Sequence, residues 1–413
     1  MEDFNLPSTE RTNLLKNLQE AMSDAPVPPY FWAMCQVCEL QALEKFIKIA
    51  RISPPIFRSF TAQAYSMILY WTQSAQGTSR GSTPITTQTN RGLGSSPTGS
   101  PPAKRQKTTK SPSSSPLAER QTITKSLVGS PLLHRSKAAS DLARERDGYC
   151  CVLSKNSSID VAHIYLFCRL STSEENVFGT RHLFWMHLKS FWSEEKVAAW
   201  EAELFPRGLS KTGDERVDNR ITLSKDAHCL WNRGAYALKP ISISDDKTIL
   251  RVQLFWQKKQ PDMQAAMSLL TIPLSTENLN QNEGAFDHGQ TILYDEGGNR
   301  IKSGDIFDLK TDDPTTKPLP SFKLLELQWF LTRVIGMAGA AFPYEAGSGD
   351  DSDEDIPGLD LDEAGDTSFL LDIPSSNSLE FLYKVNRALA ESPKHHTEEV
   401  EEDRVGRGSG YVV

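Results

Sequence analysis

The chain has no run of apolar residues approaching the roughly 20 needed to cross a bilayer, so a membrane-spanning role is not expected. Its opening, Met1-Glu2-Asp3-Phe4, lacks a basic stretch followed by an apolar one, and no secretory signal is read there. Cysteine is scarce: six in 413 residues, without framework spacing, which suits a reducing compartment rather than a disulfide scaffold. Hydrophobic residues make up only 38% of the chain, so part of it is expected to stay unfolded. No internal repeat is present. Cys35-Gln36-Val37-Cys38 has the spacing of a zinc half-site, but no second half-site follows and the pair sits on an apolar helical stripe. Core packing is the reading that remains.

What is present is unevenly spread. Residues 1–76 read as a helical N-terminal module: one helix from about Thr9 with Leu14, Leu15 and Leu18, a second over 30–51, and a third over 57–76. Residues 77–121 turn to Ser, Thr, Pro and Gly, cannot bury enough surface to offset ordering entropy, and read as a disordered linker. Residues 122–262 alternate helix and strand signals. A helix over 137–146 leads to a strand over 149–153, a turn, and a second strand over 159–167. An aromatic-rich helix over 183–204 follows, then Arg220-Ile221-Thr222-Leu223, a short helix over 225–233, and strands over 235–240 and 250–255. Residues 263–342 read as an extension with strands at 291–294 and 306–309 and a bracing helix over 322–337. Residues 343–413 read as an acidic, mostly disordered tail with one short helix over 379–389. That tail and its acidic blocks, not the central unit, carry much of the formal net charge of −8. Net charge therefore does not exclude nucleic-acid binding, which local basic patches decide.

Three local patterns in the central block bear on chemistry. The first is Arg146-Asp147-Gly148-Tyr149-Cys150 followed by Val161-Ala162-His163-Ile164. The second is Asp218-Asn219-Arg220-Ile221-Thr222-Leu223-Ser224. The third begins at Asp226-Ala227-His228 and runs on through Ala237-Leu238-Lys239-Pro240-Ile241. His228 and Asn232, four apart, share one helix face. Together the three patterns resemble the HNH endonuclease family, in the branch whose first motif is Ala-His-Ile, over about a third of the chain.

The resemblance implies an α+β fold with a ββα-metal core and inserted helices. It implies phosphodiester hydrolysis in DNA supported by one divalent ion, with Mg²⁺, Mn²⁺ and Zn²⁺ not distinguished. In that scheme His163 is the general base and Asn219 orients the base or assists the ion. His228 is a metal ligand, with Asn232 beside it. The chemistry is coherent, because an imidazole titrates in the range needed to activate water and a cation neutralises charge growing on the phosphate. The chain departs from the family at two positions: Ala162 stands where many members have a metal-binding Asp, and Asn232 where related members often have Asp. The nearest acid, Asp160, lies three residues before His163 on a strand and so faces the other way. Asp218 and Asp226 are further acids that the site would have to recruit. A catalytically degenerate interaction or nucleic-acid-binding module of the same fold is therefore the alternative.

Arg220, Lys225 and Arg233, with Arg216 and Lys239, are the candidates for phosphate contact. The linker carries Pro101-Pro102-Ala103-Lys104-Arg105-Gln106-Lys107, a basic cluster that suits nuclear import or, second to it, a non-specific phosphate contact. His134, His182, His187, His288, His395 and His396 are read as ordinary surface or core histidines. The Trp-rich stretch between His163 and Asn219 is read as an inserted cap that buries its aromatics.

Overall fold

The structure is a computed structural model, and it describes residues 2–72, 135–171, 181–258, 266–281 and 291–339. The linker over 77–121, the acidic tail over 343–413 and the short helix expected over 379–389 lie outside the described residues. The described residues form a mixed α+β architecture of nine α-helices and five strands, with small antiparallel sheets. Among them, no helix is long and apolar enough to cross a membrane.

Four helices, not three, precede the linker: α1 (Thr9–Ala21), α2 (Pro29–Val37), α3 (Leu40–Ile52) and α4 (Pro54–Thr72). Ser8 caps α1 by accepting from the Arg11 amide at 3.2 Å. Pro29 opens α2, where its missing N–H is no loss. The single helix expected over 30–51 is broken at Cys38 and Glu39, both in extended conformation. The cause is tertiary. The Glu39 amide donates to the Phe191 carbonyl at 3.1 Å, and its carboxylate accepts from the Ser193 amide at 2.9 Å. Phe31 and Phe46 then pack on Phe191 with ring centroids 6.2 and 5.4 Å away, Phe57 packs on Phe31 at 5.4 Å, and Phe60 packs on Phe46 at 4.9 Å.

α5 (Lys137–Arg146) is capped by Ser136, which accepts from the Ala139 amide at 3.1 Å. Its last residue, Arg146, is buried and ion-paired with Asp147 at 2.7 Å. It also donates to the carbonyls of Arg220 and Pro318 at 2.9 and 2.8 Å. The strand expected over 149–153 does not form. Gly148 and Tyr149 take positive φ values of 67° and 55°, and the chain winds into turns closed by Cys151 N to Asn156 O at 2.9 Å.

The hairpin that does form is β1 (Ile159–His163) against β2 (Arg220–Ser224), antiparallel, with Ile159 opposite Ser224 and His163 opposite Arg220. Ser224 caps α8 (Lys225–Asn232), its hydroxyl accepting from the Ala227 amide at 3.3 Å, and α8 packs on both strands. Between the paired strands the chain inserts α6 (Arg181–Leu188) and α7 (Glu194–Leu204), where one helix over 183–204 was expected. Trp185, Trp192 and Trp200 are buried there, as the cap reading requires. Beyond α8, Gly234 with φ 64° turns the chain into a three-stranded meander of β3 (Tyr236–Ile243), β4 (Ile249–Trp256) and β5 (Ile306–Lys310). The strand expected over 291–294 is reduced to an isolated bridge between Tyr294 and Arg300. α9 (Phe322–Met337) has the bounds its apolar spacing predicts. It braces β3 and also packs on α2.

The N-terminal helices share the core of the rest. Val27 and Met267 exchange backbone hydrogen bonds at 2.8 and 2.7 Å, and the Trp32 indole donates to the Thr271 carbonyl at 3.0 Å. One continuous buried cluster runs from Leu15 on α1 to Ala338 past the end of α9.

Candidate functional site

β1, β2 and α8 bring the three sequence patterns into one strand–strand–helix unit. His163 ends β1, Asn219 immediately precedes β2, and His228 lies on α8. Each side chain is held by a different device.

Asn219 is 1% exposed and clamps the chain just past His163. Its amide oxygen accepts from the Tyr165 N–H at 2.8 Å and its amide nitrogen donates to the Tyr165 carbonyl at 3.0 Å. Both of its functions are thereby used on backbone. Both bonds are to the Tyr165 backbone, two residues past His163.

His163 places Nε2 2.9 Å from Glu215 Oε1. A carboxylate can only accept, so Nε2 carries the proton and Nδ1 the lone pair. Among the described residues, no hydrogen bond engages Nδ1. Burial pushes the His163 pKa below the ordinary imidazole value, and the bond to Glu215 pulls it partly back. The ring is therefore neutral near pH 7. The main-chain carbonyl of His163 is tied to α8 by the Trp231 indole at 3.1 Å.

Glu215 is a residue of the candidate site that sequence reasoning missed. Burial pushes its carboxyl up, but the His163 bond, the Ser136 amide at 3.0 Å and the Arg220 guanidinium together bring it below its ordinary value. It lies 52 residues from His163 with only Gly213-Asp214 ahead of it, so no local pattern marks it.

Arg220, expected to reach phosphate, is turned inward. It is 1% exposed and bonded to Glu215 and to the Ser140 hydroxyl, so its guanidinium is engaged within the protein rather than presented to solvent. Arg216 grips Asp218, and Lys239 grips Asp3 at 2.6 Å. Lys225 is exposed in the first turn of α8, and Arg233 is half-buried at its C-cap. Asp218 is occupied by Arg216 and Asp226 is exposed in the first turn of α8, so Asp218 is not at hand for an ion site.

His228 is buried on α8. Its Nδ1 lies 3.4 Å from Asp160 Oδ2, and its Nε2 lies 3.2 Å from the Asn232 amide nitrogen. Asp160 faces away from His163, as strand alternation requires, and that face is the one α8 covers. The divalent ion implied by the HNH resemblance needs donors that converge on one point. The nitrogens of an imidazole point away from each other, so Asp160 and Asn232 flank His228 from opposite edges. One group beside Nε2 is the neutral amide of Asn232. Among the described residues, no three His, Cys, Asp or Glu side chains form a metal-holding group. These residues do not fit a tightly held divalent ion.

Compared with known proteins, the chain matches no family model, no curated protein and no solved structure.

Proposed function

We propose that β1, β2 and α8 form an HNH-type ββα unit and that the chain hydrolyses phosphodiester bonds in DNA with His163 as general base. The observation that carries this reading is the His163–Glu215 contact at the end of β1. A neutral imidazole there has one nitrogen fixed by a carboxylate and the other carrying its lone pair.

The steps follow from these side chains. His163 Nδ1 takes the proton of a water that attacks phosphorus, the bond from phosphorus to the leaving sugar oxygen breaks, that oxygen takes up a proton from solvent, and the imidazolium formed at His163 is stabilised by Glu215 on its far edge. Arg220 and the Ser136 amide hold Glu215 in place, and Asn219 pins the chain just past His163 through Tyr165. Lys225 and Arg233 stay the candidates for contact with the phosphate backbone. The basic cluster over 101–107 supports a nuclear setting, where such a substrate is found.

The test is nicking of a supercoiled plasmid by the full chain across a series of Mg²⁺, Mn²⁺ and Zn²⁺ concentrations, beside His163→Ala. General-base removal is expected to lower the rate by about 10² or more. Cleavage undiminished in His163→Ala would remove the proposal.

A second reading is favoured by the arrangement at His228, whose neighbours do not converge. The unit would then keep the fold and bind nucleic acid without cutting it. Wild-type chain that shifts DNA in a gel but nicks none at any metal concentration would select that reading.

A further inference from the structure

We propose that the cavity between α9 and the first three helices binds a small aromatic monocarboxylate, its charge held by Arg11 and Arg333. None of His163, Glu215, Asn219 and His228 lines that cavity, so the inference stands apart from the nuclease reading.

The cavity has a volume of about 380 Å³, within the roughly 300–1,000 Å³ of small-molecule sites. Arg333 on α9 lines it and is 3% exposed. Its Nε donates to Asn5 Oδ1 at 2.9 Å and its Nη2 to the Glu2 carbonyl, and the guanidinium lies 4.5 Å from the centre of the Trp329 ring. Among the described residues no carboxylate pairs with Arg333 and no hydrogen bond engages its Nη1. Burial pushes its pKa down to about 10; Asp3 opposes that shift and Arg11 adds to it. Arg11, 5% exposed on α1, lines the same cavity. It gives Nε to the Glu2 carboxylate and Nη1 to the Cys35 carbonyl, both at 3.1 Å, and no hydrogen bond among the described residues engages its Nη2. Two buried guanidinium groups that repel each other thus have one paired carboxylate between them, that of Glu2. An anion shared by the two spare nitrogens relieves both.

The rest of the wall selects the ligand. Guanidinium nitrogens donate, and a carboxylate accepts in the forked geometry that arginine matches. Around the same cavity, the Trp192 and Trp329 indole nitrogens and Gln36 Oε1 are buried with no hydrogen-bond partner among the described residues. Two of those three are donors as well. Glu2, Asp3, Glu39 and Glu326 also line the cavity and oppose a second negative charge, which favours a monocarboxylate over a phosphate dianion. Leu40, Phe322 and Phe330 add apolar surface against which an aromatic body packs.

The probe is 4-benzoylbenzoate, a ring carboxylate whose ketone crosslinks to protein under near-ultraviolet light. It is titrated into the full chain by calorimetry, beside its neutral amide. Wild type is expected to bind the acid with a Kd of about 1 mM or tighter, and the amide at least tenfold more weakly. Arg333→Gln removes the unpaired charge, and Arg333→Lys keeps the charge without the fork. Each variant, checked for folding by circular dichroism, is expected to bind the acid at least tenfold more weakly than wild type. Failure of wild type to bind the acid overturns the proposal. So does equal affinity for acid and amide, or a folded Arg333→Gln that binds the acid as well as wild type.

Should both variants fail to fold, irradiation of wild type with the acid decides the matter without a substitution. The crosslinked peptides, identified by mass spectrometry, are expected to contain residues 36–40 or 322–333 and to disappear when excess benzoate competes. Crosslinks confined to other parts of the chain overturn the proposal. Because no cleavage enters these measurements, their failure leaves the His163 assignment standing.

Discussion

Asn219 spends its side chain on the backbone of Tyr165. Its amide satisfies both polar groups of the buried Tyr165 peptide. Asn219→Ala would strand a donor and an acceptor, and is expected to cost about 2–4 kcal/mol in urea unfolding at neutral pH. Asn219→Asp, which accepts but cannot donate, should also be destabilised, because its carboxylate would face the Tyr165 carbonyl. At this scale the sequence was partly legible. His163, Asn219 and His228 each sit in a short pattern, and a pattern survives in one dimension. Glu215 and Asp160 do not, because what qualifies them is a contact across 52 and 68 residues of chain. Arg220 was misread for the same reason: a cation next to a motif looks like a phosphate contact until its buried carboxylate partner is known.

Among the elements, α9 and α8 were legible to within a residue, because apolar spacing and the N-caps Ser321 and Ser224 act locally. The failures lie where distant contacts outweigh local propensity. The helix over 30–51 splits because Glu39 is drawn to Phe191 and Ser193. The apolar stretch over 149–153 has strand composition, but with left-handed backbone at Gly148 and Tyr149 it forms turns and keeps a backbone bond to β2 from Val152 N–H to the Thr222 carbonyl at 3.0 Å.

The contact between α4 and α6 makes a further prediction. His187 on α6 accepts from or donates to the Ser66 hydroxyl at 2.8 Å, and its buried Nε2 has no hydrogen-bond partner among the described residues. Burial pushes its pKa down to about 4. Between that value and the ordinary imidazole range, the unfolded chain binds a proton that the folded chain refuses. Stability therefore falls as pH drops below about 6.5 and stops falling below about pH 4. At pH 5 the His187 share is about 2 kcal/mol. Chemical unfolding at pH 7.5 and pH 5 should show this loss in wild type and a smaller one in His187→Gln. A residual loss is expected from His163, whose pKa burial also lowers. Equal losses in the two proteins would contradict the assignment to His187.

Over the whole molecule, the helices before the linker are structurally committed to the segment beyond β4. Gln19 accepts from the Leu269 amide at 2.8 Å, Trp32 reaches Thr271, and α2 packs on α9, while α4 lies on α6. A chain beginning at residue 135 would expose the face of α9 that α2 covers, together with the core side chains of α6. It is expected to be insoluble, or to bind a hydrophobic dye with no cooperative melting. Co-expression of residues 1–76 as a separate chain should restore solubility if these contacts are what is missing. A soluble, cooperatively melting 135–339 would show that the two parts are independent.

By itself the sequence determined the α+β class, the presence of strand–helix patterns around His163, Asn219 and His228, and the burial of the tryptophans. Each follows from local spacing and side-chain type. Tertiary structure alone decided which strands pair, which carboxylate orients which imidazole, and that Asp160 and Asn232 flank His228 rather than converge with it. Those outcomes depend on the distances between side chains far apart along the chain, and a linear pattern carries no information about distance.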